Sequence, residues 1–197
     1  MQYYIKDSTL VIEGDFEAVS TGLNGGRSRV NYLFNKQVPR TFNPPDPRKF
    51  VRDAALELGI KETNFGLLTA VNMEYLQVIE DDYLTVFVTA GVSNASEFRV
   101  EKVGTINIIL FSREKLSETA LLGAIITATE AKGLALLEKG YNFLGTNTDA
   151  VIVAYENDSE ERDRPEIPYA GSSTEFGKKI TKAVIKGVKA GLELRGE

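Results

Sequence analysis

The chain has 197 residues, enough for one domain with a sizeable core, and its 43% apolar and 26% charged residues are ordinary globular usage. Its net charge of −5 offers no attractive field to nucleic acid or to an anionic membrane surface. Cys, His and Trp are all absent. Disulfides, Cys- or His-bound zinc, and Ser–His–Asp or Cys–His catalysis are thereby excluded. A nucleophile must be Ser, Thr, Tyr, Lys, a carboxylate or water, and a base must be Asp, Glu, Lys, Tyr or the N-terminal amine. The composition requires no cofactor, yet it remains compatible with an oxygen-ligated divalent ion.

Residues 1–7 lack the basic start and long apolar core of a signal peptide. The most apolar stretch, 119–137, contains Glu130 and Lys132, which argues against a membrane span. A soluble, cytoplasmic protein is expected, with its oligomeric state open, a homo-oligomer included.

In chain order, residues 2–5 and 9–12 read as a hairpin around the turn 6–8, and a further strand covers 16–20. A polar loop over 20–29 follows, with Asn24, Gly25 and Gly26 ahead of Arg27 and Arg29. It is either a plain surface loop or a site for an anion or an amide-rich ligand. The spacing predicts a short helix over 30–36. Asp46 and Pro47 start a second helix, with Phe50, Val51, Ala54, Ala55 and Leu58 inward and Gly59 as its stop.

Residues 65–71 read as a buried strand, and 73–79 with 84–89 as a hairpin around Glu80, Asp81 and Asp82. The small, polar loop 89–95 contains Ser93 and Asn94 at a strand end, where ligands often bind, although an ordinary turn reads the same way. Residues 104–111 form an apolar strand, 116–140 a long helix capped by Ser117 and stopped by Gly140, and 151–155 a second buried strand. This strand–helix–strand unit predicts one parallel pair. Residues 156–168 read as a charged linker. Ser172 and Glu175 have capping-box spacing ahead of a last helix buried through Phe176, Ile180, Val184, Val188 and Leu192. The expected fold is a single α/β domain of mixed α+β type over residues 1–197, with helices packed on a mixed, largely antiparallel sheet.

Within the long helix, about 100° per residue groups Leu122, Ile126, Leu134 and Leu137 into one sector with Glu130, opposite a face of Ala120, Ala124, Ala131 and Ala135, a pattern that also allows the helix to be covered on two faces. Glu130 thus reads as a carboxylate within an apolar arc. It is either salt-bridged to a distant Arg or Lys, or works with Asp149 of the loop 145–150 as a base or ligand anchor.

Four segments resemble the adenosylcobinamide amidohydrolase family of corrinoid salvage. They are 89–95 (Thr-Ala-Gly-Val-Ser-Asn-Ala), 104–107 (Gly-Thr-Ile-Asn), 127–132 (Thr-Ala-Thr-Glu-Ala-Lys) with 145–150 (Gly-Thr-Asn-Thr-Asp-Ala), and 169–174 (Tyr-Ala-Gly-Ser-Ser-Thr). The loop at Asn24, Gly25 and Gly26 and the strand end 68–70 are similar too. The likeness runs through most of the chain in one order. One departure is Asn147, where the family pattern has glycine; Asn tolerates left-handed backbone angles.

The resemblance implies hydrolysis of the amide joining the aminopropanol arm to the corrin ring of adenosylcobinamide, giving adenosylcobyric acid. Cobalt would arrive with this small-molecule corrinoid substrate. A non-catalytic corrinoid-binding module, or an unrelated Thr-dependent amide hydrolase, are the rival readings.

For amide hydrolysis two routes stand open. Glu130 or Asp149 activates water, or a hydroxyl of Thr146, Thr148 or Ser93 attacks, assisted by a carboxylate or Lys132. Asn94, Asn107 and the N–H groups after Gly145 are candidate oxyanion donors. Asn24, Gly25, Gly26, Ser93, Asn94, Asn107, Lys132, Gly145 and Thr146 make up the expected substrate-binding set, and Glu130, Asp149 and Thr148 the catalytic one.

Overall fold

The computed structural model describes residues 1–92, 104–157 and 165–196. Strands β1 (Gln2–Lys6) and β2 (Thr9–Ser20) form the first hairpin, with Asp7 and Ser8 at positive φ in its two-residue turn. β2 continues past a register shift between Glu13 and Phe16. The bulge lets one long strand serve two neighbours: β1 pairs with its first half and β9 (Ala150–Glu156) with its second.

The predicted helix over 30–36 is instead part of β3 (Gly26–Gln37). Val30, Leu33 and Phe34 are spaced as on a helix, but β3 lies between β2 and β4 (Asn64–Thr69) and takes hydrogen bonds from both sides. Pairing on both edges overrode a short and ambiguous period. Helix α1 (Pro47–Glu57) starts as expected, with the Asp46 carboxylate accepting from Lys49 N at 2.9 Å. It packs Val51 and Ala55 against Phe34 and Val11 on the outside of the sheet.

In the next hairpin, residues 73–75 form a 3₁₀ turn capped by Asn72, so β5 (Gln77–Asp81) begins later than predicted before β6 (Leu84–Val92). β7 (Gly104–Ser112), β8 (Lys115–Leu116), α2 (Glu118–Glu138) and β9 then make the predicted crossover, with β7 and β9 parallel neighbours. Ser117 Oγ caps α2 by accepting from Ala120 N at 2.9 Å. Of the charged segment, residues 158–164 lie outside the described residues, and β10 (Glu166–Ile167) pairs in parallel with β8. The final helix, α3 (Glu175–Leu194), is capped by Thr174, whose Oγ1 accepts from Gly177 N at 3.0 Å, rather than by Ser172. The predicted capping box is therefore replaced by a cap one residue before Glu175.

The main sheet has the order β4-β3-β2-β9-β7-β6-β5, with β1 attached to β2. Only β3–β4 and β7–β9 are parallel within it. Helices α2 and α3 cover one face, through a core that includes Val86, Val88, Ala90, Ile106, Ile108 and Leu110. The other face curls over its own core. Phe87, Ile109 and Phe111 there meet Leu10, Ile12 and Leu33 and also Phe65 and Leu67. Strands far apart in sheet order thus share one interior.

Helix α2 presents the face opposite to the one its large apolar residues suggest. Ala120, Ala124, Ala128, Ala131 and Ala135 are buried, while Leu122 and Ile126 are 59% and 61% exposed. Small side chains allow the helix axis to approach α3 and the sheet closely, and that close approach decides which face turns inward. Length and composition alone would let α2 cross a membrane, yet 56% of its apolar window is buried inside the protein.

This orientation makes a test. Ala128→Leu should destabilise by about 1–3 kcal/mol through overpacking. Leu122→Ser should change stability by no more than about 0.5 kcal/mol. Urea unfolding of both variants checks this, and comparable losses would mean that the inner face of α2 is wrongly assigned.

Candidate active site

At one end of the curl the apolar interior gives way to polar side chains. Asn35 Nδ2 of β3 donates to Thr89 Oγ1 of β6 at 2.9 Å. Asn107 Nδ2 of β7 donates to Asn35 Oδ1 at 3.0 Å and to the Leu68 carbonyl of β4 at 2.8 Å. These bonds tie both ends of the sheet order together. The Leu68 carbonyl also fixes the Asn107 amide, which must present its nitrogen there. Its Oδ1 is buried and meets no donor among the described residues.

Above this layer a cleft of about 870 Å³ opens at the mouth of the curl, a common place for a small-molecule site. Thr105, Asn107, Thr148 and Asp149 line it on one side, and Leu23, Phe42, Pro44 and Leu67 add apolar walls. Asp149 is the sole carboxylate among its described lining residues, whereas Arg40, Arg48 and Arg195 all border it.

Asp149 stands immediately before β9 and is the centre of the site. Its Oδ1 accepts from Ile106 N at 2.8 Å and from Thr146 Oγ1 at 2.6 Å. Its Oδ2 accepts from Thr146 N at 2.9 Å and from the Lys132 ammonium. The side chains of Lys132 and Asp149 are only 8% and 9% exposed. Four donors, one of them charged, satisfy the buried carboxylate. Gly145 makes the meeting sterically feasible. A Cβ there would lie 2.5 Å from Lys132 Nζ and 2.6 Å from Asp149 Oδ2.

A chain of hydroxyls continues from this pair. Thr146 Oγ1 is also 2.8 Å from the Gly104 carbonyl. Thr148 Oγ1 lies 2.8 Å from the same carbonyl and 2.8 Å from Thr105 Oγ1. Chemically, the cleft therefore offers a carboxylate held by an ammonium, with hydroxyl protons that can be re-aimed.

The structure brings Asp149, Lys132, Gly145, Thr146, Thr148 and Asn107 together, with Asp149, Thr148 and Asn107 on the cleft itself. It does not bring Glu130 to them. Glu130 is exposed on the outer side of α2 with the leucines of its arc. The reading of Glu130 as a carboxylate inside a buried arc is thereby corrected, because the alanine face turned inward. Asn24, Gly25 and Gly26 form the β2–β3 turn. Asn24 Nδ2 donates to the Arg48 carbonyl at 3.1 Å, a Cβ on Gly25 would collide with the Ser20 carbonyl, and Gly26 has φ +125°. Their neighbours Gly22 and Leu23, rather than these three, line the cleft. Ser93 and Asn94 lie outside the described residues. Asn147 is not among the described residues with positive φ, so that position makes no demand for glycine.

Thr105 and the three arginines were missed from sequence. Thr105 was legible in principle, since it shares a strand face with Asn107 two residues on. Arg40 comes from a loop, Arg48 from the first turn of α1 and Arg195 from the end of α3, and none of them carries a local signal. Among the described residues no group of three or more Asp or Glu side chains gathers to hold a metal ion.

The site is thus a buried carboxylate–ammonium pair beside cleft-facing hydroxyls in a small α+β domain. The family model described as adenosylcobinamide amidohydrolase matches residues 2–197. An adenosylcobinamide amidohydrolase of Methanosarcina mazei is 77% identical over 201 residues, covering 100% of both chains. Another, of Halobacterium salinarum, is 29% identical over 191 residues, covering 90% of this chain and 80% of that protein. Among solved structures, the PH0078 protein of Pyrococcus horikoshii aligns with a TM-score of 0.49 at 10% identity, over 98% of this chain and 78% of that one. The chain belongs to the adenosylcobinamide amidohydrolase family.

Lys132→Met would leave Asp149 as a buried charge without its counterion, at a cost of about 3–5 kcal/mol. Removing both charges in Lys132→Met/Asp149→Leu should recover much of that loss. Chemical denaturation of the single and double variants provides the cycle, and an unchanged single variant would contradict the pair's structural weight.

Proposed function

We propose that this protein hydrolyses the amide bond between the aminopropanol arm and the corrin ring of adenosylcobinamide, releasing adenosylcobyric acid and the amino alcohol. Family membership over residues 2–197 carries this reading. The cleft supports it with an apolar wall for a large ring and a polar floor for its amide-bearing edge. Cobalt belongs to the substrate, and the protein has no His to ligate it.

Asp149 is the proposed proton acceptor. All its acceptor positions are engaged at rest, so one bond must be given up before it can take a proton. Thr146 supplies the means, because its hydroxyl can turn from Asp149 Oδ1 to the Gly104 carbonyl, already 2.8 Å away. The freed lone pair takes a proton from water as the water oxygen bonds to the amide carbon. The resulting oxyanion accepts a hydrogen bond from the hydroxyl of Thr105 or Thr148, which keeps its proton. Collapse breaks the C–N bond, and Asp149 returns its proton to the leaving nitrogen. Lys132 keeps the carboxylate in place throughout. Thr148 is the less suitable nucleophile, because its hydroxyl faces a carbonyl and another hydroxyl rather than a base.

Mass-spectrometric detection of adenosylcobyric acid and aminopropanol from adenosylcobinamide tests the reaction. Product should form, and a parallel reaction with chelator should run at the same rate. Bound substrate with no cleavage would favour the non-catalytic binding module. Asp149→Asn should lower turnover by roughly 10²–10⁴-fold, the usual worth of a general acid–base group. Glu130→Gln should leave turnover unchanged, and a large loss there would overturn the placement of the site.

A further inference from the structure

Half of the large apolar side chains that stay exposed among the described residues gather on one face of the protein. Leu122, Ile126, Leu134 and Leu137 stand on the outer side of α2, with Leu144 and Tyr169 beside them. Leu144 lies over Gly133, its Cδ2 3.2 Å from where a Cβ would stand, and so takes the place of the side chain that Gly133 lacks. Ala170, the neighbour of Tyr169, approaches Gly123 in the same way at 3.8 Å. At exposures of 43–62%, the six present roughly 600 Å² of surface, the top of the range for the largest apolar patch on a monomer.

The charges around this face are settled within the chain. At one end of α2, Glu118 pairs with Arg27, and at the other Glu138 pairs with Lys189 and Lys139 with Glu193. None of the exposed residues of α2 is Lys or Arg, the residues that set an amphipathic helix on an anionic lipid surface. The exposed arc keeps one charge near its middle, Glu130, whose side chain meets no hydrogen-bond or ion-pair partner among the described residues.

We infer that this face joins a second copy of the chain, with the two α2 helices antiparallel about a two-fold axis. The exposed pattern reads alike from both ends. Antiparallel helices centred between Thr129 and Glu130 bring Leu122 of one copy level with Leu137 of the other. Ile126 comes level with the Leu144 that covers Gly133, and Thr129 with Glu130. Each contact occurs twice, as an isologous interface requires. The Thr129 hydroxyl donates to the Ile125 carbonyl at 2.8 Å in the single chain. In the pair it can turn to Glu130 of the other copy, a charge-assisted bond that gives the carboxylate its partner. With the polar residues between the apolar ones, the face approaches the roughly 800 Å² that each partner of a stable interface buries. The seam also borders the loop that carries Asp149, since Leu144 directly precedes Gly145. The pairing does not depend on which reaction the cleft performs.

Sedimentation equilibrium of the full chain over a series of concentrations tests the pairing. Wild type should pass from the mass of one chain to twice that mass, with a Kd of about micromolar order for an interface of this small size. Below that concentration the chains are single, which is where the urea comparison of Leu122→Ser is read. Leu122→Glu and Leu137→Lys should each weaken the dimer by about tenfold or more, because each sets two unpaired charges against leucines. An equal mixture of the two variants should recover much of that loss, since a mixed pair sets the new carboxylate against the new ammonium and keeps leucine on leucine in the other layer. Both positions are exposed, so circular dichroism should show both variants folded. Wild type at single-chain mass throughout would overturn the pairing. A dimer that survives both substitutions, or a mixture no tighter than its parts, would overturn it as well. Single-chain wild type that floats with phosphatidylcholine vesicles would assign the face to a lipid surface instead.

Discussion

The ion pair between Lys132 and Asp149 is the constraint on which the site depends. It joins the middle of α2 to the loop that enters β9, and through Ile106 N it also reaches β7. All three parts of the crossover therefore meet at one carboxylate. A buried charge pair of this kind contributes little net stability, since desolvation offsets most of the attraction. What it supplies is position. Gly145 is its steric condition, because any side chain there would enter the space of the two charged groups. Thr146 is tied to Asp149 through both its backbone N–H and its hydroxyl.

The curl of the sheet supplies the other half of the site. Without it, β3 and β4 would stand far from β6 and β7, with β2 and β9 between. The hydrogen bonds of Asn35 and Asn107 close that distance and form a polar floor between the apolar interior and the cleft. The buried, unmet oxygen of Asn107 is a cost this floor tolerates next to a site. The charges are divided between the two halves. Asp149 is compensated from the helix side by Lys132, while Arg40, Arg48 and Arg195 border the cleft.

Much of the outline was legible locally. The first hairpin, the Asp46-Pro47 helix start, the Ser117 cap and the strand–helix–strand unit each have a short-range cause, and each stands where it was expected. The failures share a different cause. Residues 30–36 have an apolar spacing that suits one turn of helix, but two neighbouring strands decided their conformation. On α2, the large residues marked one face and the small ones the other, and the fold buried the small ones. That single inversion moved Glu130 to the surface and turned Lys132 toward Asp149.

By itself, the sequence determined the chemistry available. With no Cys or His, hydrolysis could rest only on carboxylates, hydroxyls, lysine or water, and the order of small-residue motifs pointed to one family. It also determined that the loop 145–150 would lie beside β7, since a crossover unit places it there. Only the tertiary structure decided which carboxylate meets the cleft and which cation meets that carboxylate. It alone brought Arg40, Arg48 and Arg195 to the cleft that Thr105 lines. The reason is physical: helix faces are chosen by how closely elements can pack, and charges then pair with whatever that packing leaves within reach. Neither is written in the spacing of residues along one element.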